Sequence, residues 1–111
     1  MAYGITKESQ IIDLDSINKG CDKLQEAAKK LMECGTKVAN ISEICDTNAL
    51  SANGKSMVPV IQEDGNEIAI IGEQLSQYAS NLQTAASSVY RSQRNEYATY
   101  LEEQKRKNSG D

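Results

Sequence analysis

Apolar residues recur along two stretches of this chain at steps of three and four. In the longer stretch, residues 67–101, they fall at Ile68, Ile71, Leu75, Tyr78, Leu82, Ala85/Ala86, Val89, Tyr97 and Tyr100. A repeat near 3.5 residues is one face of an α-helix. The earlier stretch carries Leu14, Ile17, Cys21, Leu24, Ala28, Leu31, Gly35, Val38 and Cys45, with Ser42 filling one place and Ile41 and Ile44 beside it. Its opposite face holds Lys19, Lys23, Glu26, Lys30, Glu33, Lys37 and Glu43. Glu26 to Lys30 and Glu33 to Lys37 have the favourable i,i+4 spacing for ion pairs. Three seam residues, Cys21, Ala28 and Gly35, are small enough to let a second helix approach closely.

These patterns predict a helix over about residues 15–45 and a second over about 57–105. The first starts near Asp15, with Asp13, Asp15 or Ser16 as its N-cap and Thr6 as an earlier alternative. The intervening segment, about residues 46–56 (DTNALSANGKS), reads as a loop with an Asn53-Gly54 turn and one large apolar residue, Leu50. Residues 58–71 admit two readings. Asp64-Gly65 between β-branched runs is a hairpin cue. Yet Ile61, Ile68 and Ile71 also continue the helical stripe, and an isolated two-stranded hairpin is marginal. The helical reading puts Pro59 in the first turn, where it is tolerated, and a kink near Gly65. The chain ends on a frayed NSGD tail.

The expected architecture is therefore all-α and a single domain over residues 1–111: two long antiparallel helices forming a helical hairpin. Two helices bury only one stripe each, so the core is thin and close to break-even against chain entropy. Such hairpins are completed by another helical pair, supplied by a partner or by a second copy, as a four-helix bundle. Residues 74–90 contain no charge at all, whereas a solvated helix face normally carries Lys and Glu. That neutral stretch is the expected docking surface, with Leu75, Tyr78, Leu82 and Val89 as the partner-binding residues.

Composition narrows the function. Among 111 residues there is no Trp, Phe or His, one Pro and seven Gly, and 39% are hydrophobic. The net charge of −4 is spread along the chain, so nucleic-acid binding, which needs a clustered positive face, is not expected. The one basic cluster, Lys105, Arg106 and Lys107, suits the C-terminal end of a helix dipole. Cys21, Cys34 and Cys45 match no zinc spacing and read as buried reduced thiols, which points to folding in the cytosol. MAYGITKESQ lacks the apolar region of a cleaved signal peptide, and no run approaches the length of a membrane span. Without His the commonest general base and metal ligand is missing. No phosphate-binding glycine motif is present, and Glu102-Glu103 point to different sides of a helix. No enzymatic activity and no cofactor are expected, and function should lie in surfaces.

A chain of this length, with two long helices, few aromatics and a Ser/Gln/Ala-rich second helix, resembles the WXG-type small proteins of bacterial type VII secretion. The resemblance covers the architecture of residues 11–104. The Trp-x-Gly turn of that family is missing, since the bend reads ALSANGKSM around Asn53-Gly54. Its C-terminal export signal, an aromatic followed four residues on by an acid, is imperfect: Tyr90 leads to Arg94, Tyr97 to Leu101 and Tyr100 to Gln104, with Glu102 and Glu103 beside these positions. The departures favour the LXG-associated α-helical targeting factors of Firmicutes, which lack the Trp-x-Gly turn and to which this sequence is similar in length, heptad seams and charge balance. The resemblance implies a cytoplasmic, chaperone-like partner that binds the N-terminal helical domain of an LXG-type toxin, alone or with another small helical protein, for export without a cleaved signal peptide. It also makes Tyr97, Tyr100, Leu101 and Glu102 a candidate export-signal region. The alternatives are a secreted WXG-like homodimer and a small helical adaptor unrelated to secretion.

Overall fold

The computed structural model describes residues 4–109, apart from the side chains of Ser42 and Ile44. Among them every regular element is helical: α1 (Leu14–Ala39), α2 (Ile41–Ile44) and α3 (Ala52–Asn108), with short 3-10 turns at Glu8–Gln10 and Thr47–Ala49. Asp13 is the residue that caps α1. Its carboxylate accepts from the Ser16 backbone N–H at 3.1 Å and the Ser16 hydroxyl at 2.8 Å, which satisfies a donor left open at the helix start. Those two bonds, in that order, hold the Asp13 carboxyl below its ordinary range.

Three boundaries differ from the periodic pattern. The first helix ends at Ala39 rather than near residue 45. Asn40 leaves helical geometry at φ −96° and ψ 39°, and a separate single turn, α2, follows. Asn is a weak helix former, and its carbonyl accepts from the Glu43 N–H at 2.9 Å to start the new turn. The second helix begins five residues early, because Ser51 caps it: the Gly54 N–H donates to Ser51 Oγ at 3.2 Å and the Lys55 N–H to the Ser51 carbonyl at 2.8 Å. Asn53 and Gly54, expected in a turn, thus sit in the first turn of α3. Pro59 lies inside the helix rather than in its first turn. Residues 58–71 are helix, and α3 runs through Gly65 without a break. Helix also continues three residues past the expected end, to Asn108; of the NSGD tail, Gly110 and Asp111 lie outside the described residues.

The chain divides into two units. In Cys21–Ser80, α1 and the first part of α3 run antiparallel and meet along a line of small residues. Cys21, Ala28 and Gly35 are buried on α1, and Gly65, Gly72 and Ala79 on α3, each set spaced by seven. Register follows from the glycines. A Cβ on Gly35 would strike the Ala69 backbone nitrogen and fall 2.5 Å from the Gly65 carbonyl oxygen. One on Gly72 would fall 2.9 Å from the Ala28 carbonyl oxygen and the Met32 nitrogen. The two backbones are in contact, a geometry open to residues without a side chain. Cys21 is buried as expected, but Cys34 and Cys45 are exposed free thiols.

The other unit comprises the described residues among 1–20 and 81–111. There the N-terminal segment lies along the last part of α3. Ile5 is buried, the Ile12 N–H donates to Gln93 Oε1 at 2.8 Å, and Glu8 pairs with Arg94 at 3.6 Å. Gln10 Oε1 accepts from the backbone N–H groups of Thr6 and Lys7 and ties the segment back on itself. Ala86 is the buried seam residue of α3 here.

Candidate functional site

The small-residue line in Cys21–Ser80 has two flanks, and they differ in chemistry. One flank lies four residues beyond each seam position, which in a seven-residue repeat is also three before the next: Gln25, Met32 and Ala39 on α1, and Gln62, Ala69 and Ser76, each three before Gly65, Gly72 and Ala79, on α3. At its Gln25 end this side is closed by its own hydrogen bonds. Gln25 Nε2 donates to the Ser76 carbonyl at 2.9 Å and to Ser80 Oγ at 3.1 Å, and Ser76 Oγ donates back to Gln25 Oε1 at 2.6 Å. Buried or half-buried amide and hydroxyl groups are thereby satisfied within the chain.

The other flank lies three residues beyond each seam position on α1 and four before each on α3. It consists of Leu24, Leu31 and Val38 on α1 and Ile61, Ile68 and Leu75 on α3, all half-buried. Because the fourth-residue flanks meet on the first side, helical geometry brings these six together on the second. Standing proud of them are the residues that immediately precede each seam position: Ala27 and Cys34 on α1, Asp64, Ile71 and Tyr78 on α3. Ile71 is 53% exposed and Tyr78 61%. The result is a largely apolar face along about 27 Å of α3, interrupted by Asp64 and bordered on α1 by Lys23, Lys30 and Lys37. At the α2 end the face runs into a shallow cleft lined by Lys30, Glu33, Cys34, Lys37, Val38 and Ile41. A contiguous exposed apolar patch with a polar rim is the physical signature of a protein-binding surface.

Of the four residues expected to bind a partner, Leu75 and Tyr78 lie together on this face. Leu82 and Val89 belong to the other unit and are 38% and 46% exposed; neither is a seam residue. The export-signal candidates divide in the same way. Tyr97 and Tyr100 are half-buried and stacked, their rings 6.5 Å apart and 19° from parallel, a favourable aromatic arrangement. Leu101 and Glu102 follow on the exposed side of the helix. The sequence reading missed the α1 half of the face, Leu24, Leu31 and Val38, which it assigned to the interior. The seven-residue recurrence of Gly65, Gly72, Ala79 and Ala86 is the signal that locates it, since it fixes the inner line of α3 and leaves Ile71 and Tyr78 outside.

The expected pairs Glu26–Lys30 and Glu33–Lys37 are not closed: the ion pairs among the described residues are Asp15–Lys19, Glu8–Arg94 and Glu103–Arg106. Among the described residues no group of three or more Cys, Asp or Glu is placed to hold a metal ion, and no helix is long and apolar enough to cross a membrane. No family model, curated protein or solved structure matches the chain.

Proposed function

We propose that this protein is a non-catalytic docking partner that lends the apolar face of Cys21–Ser80 to two helices of another protein, completing a four-helix bundle. One observation carries the reading: one side of the hairpin is tied at Gln25, Ser76 and Ser80 by its own hydrogen bonds, whereas the opposite side leaves Leu24, Leu31, Val38, Ile61, Ile68 and Leu75 half-exposed and Ile71 and Tyr78 exposed. A chain that needed no partner would gain by placing charge at Ile71 and Tyr78, as it does around the outside of α1.

The resemblance to LXG-associated targeting factors supplies the partner. In this reading the face receives the N-terminal helical domain of an LXG-type toxin in the cytosol, and the protein acts as a chaperone-like targeting factor for type VII secretion. The region around Tyr97, Tyr100, Leu101 and Glu102 is then the part offered to the export machinery.

Co-expression with the N-terminal helical domain of such a toxin tests this. The expected result is a complex that survives purification. Ile71→Lys with Tyr78→Lys should abolish it while the helical circular-dichroism signal is kept, because both positions are exposed in the free chain. Absence of any complex with the wild-type chain overturns the proposal. So does a complex that tolerates the double substitution.

A further inference from the structure

We infer that in the absence of a partner a second copy of this chain covers the same apolar face, with its α3 laid over α1 about a twofold axis parallel to the helices. The inference rests on the docking face proposed above and goes further by stating what occupies it and in which orientation.

Two independent features of the face select that orientation. The first is size. The residues that stand proud on α1 are small, Ala27 and Cys34, and those on α3 include the large Ile71 and Tyr78. The glycine contacts place Gly72 level with Ala28 and Met32 of its own chain, and Gly35 level with Gly65 and Ala69. A twofold axis along the helices preserves those levels. Ile71 of the second copy therefore arrives between Ala27 and Cys34, a large side chain over a gap between small ones. Packing of this kind is what fills a helical interface to native density. Turning the second copy about an axis across the helices instead sets α1 on α1, small upon small, and α3 on α3, large upon large.

The second feature is charge. The α1 edge of the face carries three lysines, Lys23, Lys30 and Lys37, with Glu33 beside the last two, and none of the lysines is ion-paired with another described residue. The corresponding α3 edge carries Glu67 and Gln74, with Asp64 close by, and no cation. With α3 over α1, Lys37 comes level with Gly65 of the second copy, between Asp64 and Glu67, and symmetry makes the contact twice. With α1 over α1 the lysine rows face each other, and like charges in register oppose association. Closed twofold pairing of one face on itself is also the commonest form of self-assembly.

Sedimentation equilibrium of the purified chain, with two variants, is the test. The wild-type chain is expected to be a dimer. Lys37→Glu should weaken it about tenfold, by replacing two attractions with two repulsions at the rim of a partly desolvated interface. Adding Glu67→Lys should restore it, with helical signal equal in all three proteins. A wild-type chain that stays monomeric overturns the inference. So does a dimer indifferent to Lys37→Glu, or one that Glu67→Lys fails to rescue. These failures are distinct from failure of the docking proposal, which is read from capture of the toxin domain: a monomer that still captures the domain refutes only self-association.

Discussion

At Gly35 a single hydrogen atom in place of a methyl group decides how close two helices come. A Cβ there meets backbone atoms of α3 rather than the end of a flexible side chain, so nothing can swing aside and the helices must separate. Gly35→Ala is expected to lower stability by about 1–3 kcal/mol, the range for overpacking a tight core, despite the better helix propensity of Ala. Gly20 is the control. It also lies within α1, but a Cβ there finds nothing within 4 Å. Gly20→Ala should raise stability by about 0.5–1 kcal/mol through propensity and a less flexible unfolded chain. Chemical denaturation of the two variants beside the wild type checks both signs. Equal changes at the two positions would mean that the helices are not in backbone contact.

In α3 the large and the small apolar residues tell different stories. The period of Ile68, Ile71, Leu75, Tyr78, Leu82 and Val89 correctly announces a long helix with an apolar stripe. Reading that stripe as the seam puts its centre in the wrong place, because hydrophobic weight follows large side chains whereas the closest packing follows small ones. Gly65, Gly72, Ala79 and Ala86 carry little hydrophobicity, yet they define the buried line. The helical class of residues 58–71 was legible from Ile61, Ile68 and Ile71. The capping role of Ser51 was not, since Asn53-Gly54 next to it is a stronger turn signal than a lone serine is a start signal. The shifted seam changes the outcome expected for a charge in α3. Leu82→Asp should cost about 1 kcal/mol or less, because the side chain can turn to water. Ala79→Asp should cost about 3 kcal/mol or more, because Ala79 is fully buried and its carboxylate would have no partner there. Thermal melts of the two variants separate the cases: near-equal losses would return Leu82 to the seam.

Across the whole chain the buried apolar set among the described residues is small: Ile5, Cys21, Ala28, Ala79 and Ala86, with Cys21 the largest side chain that is fully enclosed. A core built mainly of alanine, glycine and cysteine contributes little area per residue, and 111 residues leave little margin against chain entropy. Leu24, Leu31, Val38, Ile61, Ile68 and Leu75 are each half-buried, so on the docking proposal the face holds hydrophobic stabilisation that a cover would release. Stability and association are then one equilibrium, and mass action couples them. Raising the protein concentration a hundredfold should lift the melting midpoint of the wild-type chain by about 5 °C, the shift expected for a dimer of this size. The variant carrying Ile71→Lys and Tyr78→Lys should melt at a concentration-independent and lower midpoint, since its face no longer finds a cover. Calorimetry over that concentration range measures both. A wild-type midpoint that does not move would show that the free hairpin stands on its small core alone and would overturn self-association, leaving capture of a different partner to the co-expression test.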